Sequence, residues 1–431
     1  MFSTNARPQQ APQANAPDLR RDGPDASGTS PKPSPLTRAK IFLFALASGL
    51  AVANAYFAHP LLDVMADDLQ LSRATAGFIV GATQLGYGLG LVLLVPLGDL
   101  IDRRKLIVAQ SLLSVLALFC VGFSASAAML LASMAAVGLL AVVTQALVAY
   151  AASLAHPSER GHVVGLVTGG IVLGILLARS VAGILTDLSG WRTVYIVSAI
   201  LTSALAILLW RTLPRQERPP TGLSYPDLIK SLVTLLMTEP VLRIRSVIAM
   251  LIFANITTLL APLVLPLGAP PFSLSHTEIG LFGLAGAAGA LGALRAGRWT
   301  DAGHGQRTTG IALGLMLAAW LPIALLNHSI LWLVLGVLVI DFGLQAVHVT
   351  NQAMIYRVRP EAQNRLTAAY MLFYSIGSAI GSSTSTIVYA WAGWTGVCIT
   401  GAAISLATLL FWALTLRATP NAATRSAGKP V

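Results

Sequence analysis

The sequence predicts an all-α polytopic membrane protein, with twelve transmembrane helices in two six-helix bundles, and three observations predict it. Of the 431 residues, 55% are hydrophobic and only 10% charged, with a mean hydropathy of +0.73; a soluble domain carries about 25% charge. The apolar residues fall into twelve runs, each near the roughly twenty residues that cross a bilayer. A charged turn also repeats at half the chain length. Pro96–Lys105 packs three cations and two carboxylates between an uncharged run over 75–97 and another over 106–154. Such a turn cannot sit in hydrocarbon, and its excess of cations marks the cytoplasmic surface. In the second half Gly297 and Asp301 repeat the spacing of Gly98 and Asp102, again with basic residues following. A loop that recurs this way implies two similar halves.

Taken in order, residues 1–37 are rich in Pro, Ala, Gln, Ser and Asp without apolar periodicity, which predicts a disordered cytoplasmic tail. No signal peptide is expected, because the first apolar run begins only near Lys40 and no cleavage site follows a short core. The expected spans are 40–62, 75–97, 106–124, 127–152, 162–186 and 192–212, then 243–266, 277–296, 308–326, 329–353, 365–390 and 395–416. The breaks at 124–126 and 327–328 are hairpin turns. An N-terminal bundle over 38–213 and a C-terminal bundle over 243–416 are joined by a cytoplasmic linker, 214–242. Within it Leu228, Leu232, Leu235 and Leu236 line one side of a helix over Tyr225–Thr238, as on a membrane surface. Residues 417–431 form a cytoplasmic C-tail. With the N-terminus inside, 25 of the 28 Lys and Arg fall on the cytoplasmic side, leaving Arg73, Arg192 and the intramembrane Arg179. That asymmetry predicts both termini in the cytoplasm.

Composition also removes classes. The net charge of +11 comes from cations in short turns, not from a basic stripe interleaved with aromatics, so no nucleic-acid partner is expected. Cys120 and Cys398 both lie inside apolar runs, which leaves no disulfide framework and no CxxC metal site. HExxH, Walker and Rossmann patterns are absent. No catalytic constellation, metal or cofactor is expected, and any transport must draw on a gradient.

A charged side chain in mid-span costs about 2.5–3.5 kcal/mol on insertion scales, so each is a functional candidate. Of the seventeen carboxylates only Asp341 lies deep in an apolar run. Gln345, His348 and Gln352 follow it at i+4, i+7 and i+11, within an arc of about 60° on one helix face. A polar stripe on such a helix faces water, substrate or partner side chains; an interhelical hydrogen-bond seam is the other reading. Arg179 in span 5 and Asp341 in span 10 lie at depths differing by about 3 Å at 1.5 Å per residue. They are expected to pair or to bracket one ligand. Gly280, Gly283, Gly286, Gly289 and Gly292 of span 8 form a small-residue seam, expected to pack on span 5 at the interface between the halves.

The turn from Gly98 and Asp99 to Asp102, Arg103, Arg104 and Lys105 resembles the loop between helices 2 and 3 of the major facilitator superfamily of secondary transporters. The family usually has a glycine after the aspartate, where Arg103 and Arg104 stand here. Asn54, Tyr56, His59 and Pro60, then Thr83, Gln84 and Tyr87, and the stretch Asp341 to Gln352 are similar to a bacterial branch labelled sugar or drug efflux permeases. The resemblance covers nearly all the chain apart from its tails. It implies a multi-pass protein of the bacterial inner membrane, working as a monomer by alternating access on a small-molecule substrate, with protons or another ion as coupling partner. It implies further that spans 1, 4, 7 and 10 line a central cavity, which would make Asn54, Tyr56, Gln145 and Asn255 cavity residues beside the span-10 stripe. Gly98, Asp99, Asp102, Arg103, Arg104, Gly297 and Asp301 become a conformational gating loop. Ile175 and Val142 stand where drug:proton antiporters of the family carry proline and arginine, so the likeness stops short of multidrug antiport. Proton-coupled efflux with Asp341 as the titrating group is the leading expectation; uptake of an anionic metabolite and a non-transporting receptor are the alternatives.

Overall fold

The computed structural model describes residues 37–72, 74–156, 160–214, 224–285, 296, 298–359 and 363–418. The expected tails, the first part of the linker, Gly297, and Gly286, Gly289 and Gly292 lie outside the described residues, as do the side chains of Asp99 and Asp301.

Every regular element described is helical. Span 1 is α1 (Arg38–Tyr56), continued through a 3-10 turn at His59–Leu61 into α2 (Leu62–Asp68), which carries it past its expected end. Then come α3 (Gly77–Leu93), α4 (Arg103–Gly122), the single span formed by α5 (Ala127–Ala141) and α6 (Val143–Leu154), α7 (Arg160–Ser189) and α8 (Trp191–Thr212). Gly190, at φ +82°, turns the chain between the last two. The linker helix α9 (Tyr225–Thr238) starts at a Ser224–Asp227 capping box and buries Leu228, Leu232 and Leu235. The second half contains α10 (Pro240–Leu260), α11 (Val264–Gly268), α12 (His276–Leu281), α13 (Gly305–Ala318), α14 (Trp320–Ala324), α15 (Ile330–Tyr356) and α16 (Gln363–Thr415).

Ten helical stretches among the described residues are long and apolar enough to cross a membrane. The last of them, Arg365–Thr415, spans 51 residues and breaks at Gly393, whose φ of +59° and ψ of −158° lie outside helical space. That break falls in the join expected between 390 and 395, so the stretch holds two spans. The span expected over 277–296 begins with α12 and leaves the described residues after 285. These two account for the difference from twelve.

Lipid supplies no hydrophobic drive between helices, so close backbone approach through small residues holds them together. A Cβ on Gly174 of α7 would sit 2.2 Å from the Gly49 carbonyl oxygen of α1, and one on Gly377 of α16 would sit 1.9 Å from that of Met250 in α10. The same device joins the two halves. A Cβ on Gly77 of α3 would meet the Ser382 carbonyl oxygen of α16 at 2.1 Å, and Gly280 approaches Arg179 of α7 at 2.5 Å. The glycines of span 8 that are described therefore do pack on span 5.

Two faces can be told apart. The basic face gathers the turn at 96–105, the end of α8, the linker and the start of α13. There Arg104 donates to the Trp210 carbonyl, Tyr150 to that of Pro214 at 2.5 Å, and Arg359 pairs with Glu239 at 2.8 Å. The distal face holds the other ends. On it the Asp187 carboxylate accepts from the His276 backbone N–H (3.3 Å), the Thr277 N–H (2.8 Å) and the Thr277 hydroxyl (2.6 Å), and bonds His276 Nδ1 at 3.0 Å. His276 Nε2 meets both oxygens of Asp63 at 3.2 Å. One histidine of the second half is thus held between two carboxylates of the first. The Gly77 N–H adds a bond of 3.2 Å to the Thr386 hydroxyl.

Candidate functional site

Between the halves lies a cavity of about 460 Å³. On the first-half side α1 presents Tyr56, the turn after it His59, α3 Gln84 and α7 Arg179; on the other, α10 presents Phe253 and Thr257, α15 Asp341 and Gln345, and α16 Tyr374 and Ser378. The rest of the wall is aliphatic, with Val172, Ile175 and Leu176 from α7 and Ile256, Leu260 and Leu344 from the second half. Tyr56 and Tyr374 share a hydroxyl–hydroxyl bond of 2.6 Å across the halves. Around Tyr374 stand Phe253, with ring centroids 4.0 Å apart and planes at 82°, and Tyr87, at 6.2 Å and 77°. His59 stacks on Tyr56 at 5.8 Å.

Arg179 and Asp341 open into this one cavity from opposite halves. They form no ion pair, and among the described residues neither side chain has a hydrogen-bond partner; the Arg179 Nε is buried and unpaired. An unpartnered guanidinium and an unpartnered carboxylate in a low-dielectric cavity attract any solute that offers the complementary groups.

The other residues singled out in the sequence scatter. Tyr56 and Gln345 are in the cavity wall. Asn54 is not: it accepts from the Ser198 hydroxyl inside the first bundle and lines a pocket there of about 20 Å³. Asn255 likewise turns into the second bundle, donating to the Gly401 carbonyl and the Ser405 hydroxyl, both at 2.7 Å. Gln145 lies toward the basic face, where its amide donates to the Tyr87 hydroxyl at 3.4 Å. It helps line a separate cavity of about 210 Å³ with Arg103 and Gly98 on one side and Tyr356, Thr367 and Ala368 on the other. His348 bonds the Tyr370 hydroxyl at 3.0 Å and lies edge-on to Phe253. Gln352, a turn further on, is half-buried. The polar face of α15 thus divides: Asp341 and Gln345 meet the cavity, and His348 joins an interhelical seam.

The turn at 96–105 has structural work of its own. Asp102 caps α4 by accepting from the Arg104 N–H at 2.8 Å, and Arg103 donates to the carbonyls of Gly98 and Ala149, both at 3.3 Å. The turn is thereby tied to α6. In the second half the echo of this loop forms a π-helical turn over Thr300–His304, with Gly303 at φ +86°.

Sequence reasoning missed three features. Arg245, counted there as a surface cation, is fully buried in α10, donating to Thr309 at 3.1 Å and Asn351 at 3.2 Å while its Nε and Nη2 have no partner. His59, named in the sequence only as part of a family likeness, belongs to the cavity wall. The cluster of Asp63, Asp187 and His276 joins segments at least 89 residues apart, and no local pattern announces it.

A family description of the Major Facilitator Superfamily matches residues 42–269 and again 246–431. The chain belongs to the major facilitator superfamily. Relatives of this transporter include the uncharacterized transporter YgaY of Escherichia coli O157:H7, 49% identical over 377 residues that cover 88% of this chain and 95% of the relative. The inner membrane transport protein YnfM of Escherichia coli K12 is 26% identical, covering 85% and 87%. Among solved structures, the nucleoside transporter NupG superposes with a TM-score of 0.71 at 14% identity, covering 87% of this chain and 99% of that one. This last likeness is one of fold alone.

Proposed function

We propose that this facilitator-superfamily transporter is a proton-coupled carrier that exports a small organic solute across the bacterial inner membrane, by alternating access between bundles over 38–213 and 243–416. The single observation that carries the proposal is the central cavity, in which the one deep carboxylate of the chain, Asp341, stands without a partner opposite Arg179. A carboxylate there can take up and release a proton as the cavity changes access, and its charge is sensed by a cation on the other half. The split of basic residues supports placing the basic face and both termini in the cytoplasm. The bonds that close the distal face, with a second cavity between the halves at the basic face, support an inward-directed state. The ties from Arg103 to Gly98 and Ala149 support the 96–105 turn as a restraint on the motion of α3 against α4 and α6. Efflux rests on the resemblance to the efflux-permease branch, and the protein acts as a monomer in this reading.

The test is substrate-screened proton flux in proteoliposomes, comparing the wild type with Asp341→Asn. A compound that moves protons through the wild type but not through the variant assigns the titrating role to Asp341. Equal coupling in both refutes it. The unpartnered Arg179 favours a second reading, uptake of an anionic metabolite; counterflow of labelled anions into right-side-out vesicles, lost in Arg179→Gln, would replace the efflux reading with that one.

A further inference from the structure

We infer that the cavity takes a zwitterion: a small amphoteric solute whose carboxylate meets the Arg179 guanidinium and whose protonated amine meets the Asp341 carboxylate. This rests on the transporter reading and deepens it to a substrate class. The argument is one of charge balance. Both side chains open into the same cavity of about 460 Å³, neither has a partner, and they do not pair with each other. An anion alone covers Arg179 and leaves Asp341 bare; a cation alone does the reverse. With Asp341 in its charged form, only a solute with both charges covers both, and each contact is then a charge-assisted hydrogen bond. Because Arg179 stands on α7 and Asp341 on α15, such a solute also bridges the halves. The rest of the wall is largely carbon, with Phe253 and Tyr374 edge to face and Ile175, Leu176 and Ile256 also lining it. It suits a compact apolar or aromatic body, and the volume is that of a small-molecule site.

The experiment is a binding screen on the purified full chain in lipid nanodiscs, by thermal shift and then calorimetry. The probes are the common L-amino acids, their methyl esters, which keep only the cation, and their N-acetyl derivatives, which keep only the anion. At least one zwitterion is expected to bind, with affinity falling about tenfold or more for its ester and for its N-acetyl form. Arg179→Gln should erase the difference between zwitterion and ester, Arg179→Lys should keep part of it, and Asp341→Asn should erase the difference between zwitterion and N-acetyl form. The double variant, Arg179→Gln with Asp341→Asn, should lose zwitterion binding. If the two charges serve only to neutralise each other, the double variant binds like the wild type, and the inference falls. It falls equally if no zwitterion binds, or if the N-acetyl form binds as tightly as its parent. Monoanion binding with Asp341-dependent proton flux intact would sink the zwitterion and spare the carrier; zwitterion binding without coupled flux would do the opposite.

Discussion

The cluster that closes the distal face gives the most direct quantitative test of how the two halves are held. Asp187→Ala removes one carboxylate that bonds four donors or ring atoms of the second half, at 2.6 to 3.3 Å. Buried hydrogen bonds to charged groups contribute about 1.5–3 kcal/mol each, and exposed ion pairs only about 0.2–1 kcal/mol. The His276 and Asp187 side chains are 20% and 28% exposed, and the four bonds share one acceptor. About 2 kcal/mol in total follows, a roughly 30-fold shift toward states with the face open. The assay is pulsed electron spin distance measurement between labels at Ala125 and Asn327, with Cys120 and Cys398 replaced by serine. The wild type should show one dominant short distance and the variant a second, longer one. The same pair reads a pH dependence. His276 titrates above its ordinary 6.5, chiefly through its bond to Asp63, opposed by burial and aided by the charges of Asp63 and Asp187 and the bond to Asp187. Glu278, on the same helix as His276, is engaged with the Ser275 N–H at 2.8 Å. A raised value means the imidazolium favours the closed face: that contribution is complete below about pH 6.5 and is lost as pH rises through the raised value. Moving from about pH 6 to about pH 9 should therefore populate the long distance, and His276→Asn should abolish the change. A distribution unmoved by Asp187→Ala and by pH would refute the reasoning.

Two further expectations concern packing. A Cβ on Gly169 of α7 meets nothing within 4 Å, whereas one on Gly174 lies 2.2 Å from the Gly49 carbonyl oxygen. Gly169→Ala should leave the melting temperature unchanged or slightly higher, by the helix propensity of alanine. Gly174→Ala should lower it as overpacking of about 1–3 kcal/mol demands; equal effects would mean α1 and α7 are not in contact in the bilayer. Arg245→Met replaces a buried guanidinium with two unpartnered nitrogens by an apolar chain of similar volume. It should leave the melting temperature unchanged or raise it, and a fall of more than about 5 °C would show that the bonds to Thr309 and Asn351 outweigh the cost of burial.

Much of this architecture is written plainly in the sequence. The spans, the hairpin at 124–126, the break near Gly393 and the depth shared by Arg179 and Asp341 follow from run lengths and from where charge is tolerated. The rotation of each helix does not. Asn54 and Tyr56 are two residues apart, which on an α-helix is about 200°; one faces Ser198 and the other the cavity. Phe253 and Asn255 differ in the same way. In a helix that is apolar all round, no hydrophobic face tells which polar residue points where. Span 10 was the exception because its polar residues share an arc, and even there the arc serves two environments. The distal cluster was hidden for another reason: Asp63, Asp187 and His276 are adjacent only after three helices have been packed.

The rings around Tyr374 bear on how the two halves can move. Edge-to-face aromatic contacts are individually worth only about 0.5–1.5 kcal/mol, so Phe253, Tyr87 and Tyr374 form a bearing more than a bolt. Thr386 lies twelve residues along α16 from that bearing, a lever arm of about 18 Å at 1.5 Å per residue. A tilt of only about 10° about Tyr374 therefore displaces the Thr386 end by about 3 Å, as much as the length of the bond it makes to Gly77. Hydrogen bonds do not stretch that far. The distal contacts must then give way together over a narrow swing while the fulcrum barely changes, and a gentle rotation at mid-membrane becomes an abrupt release at the rim.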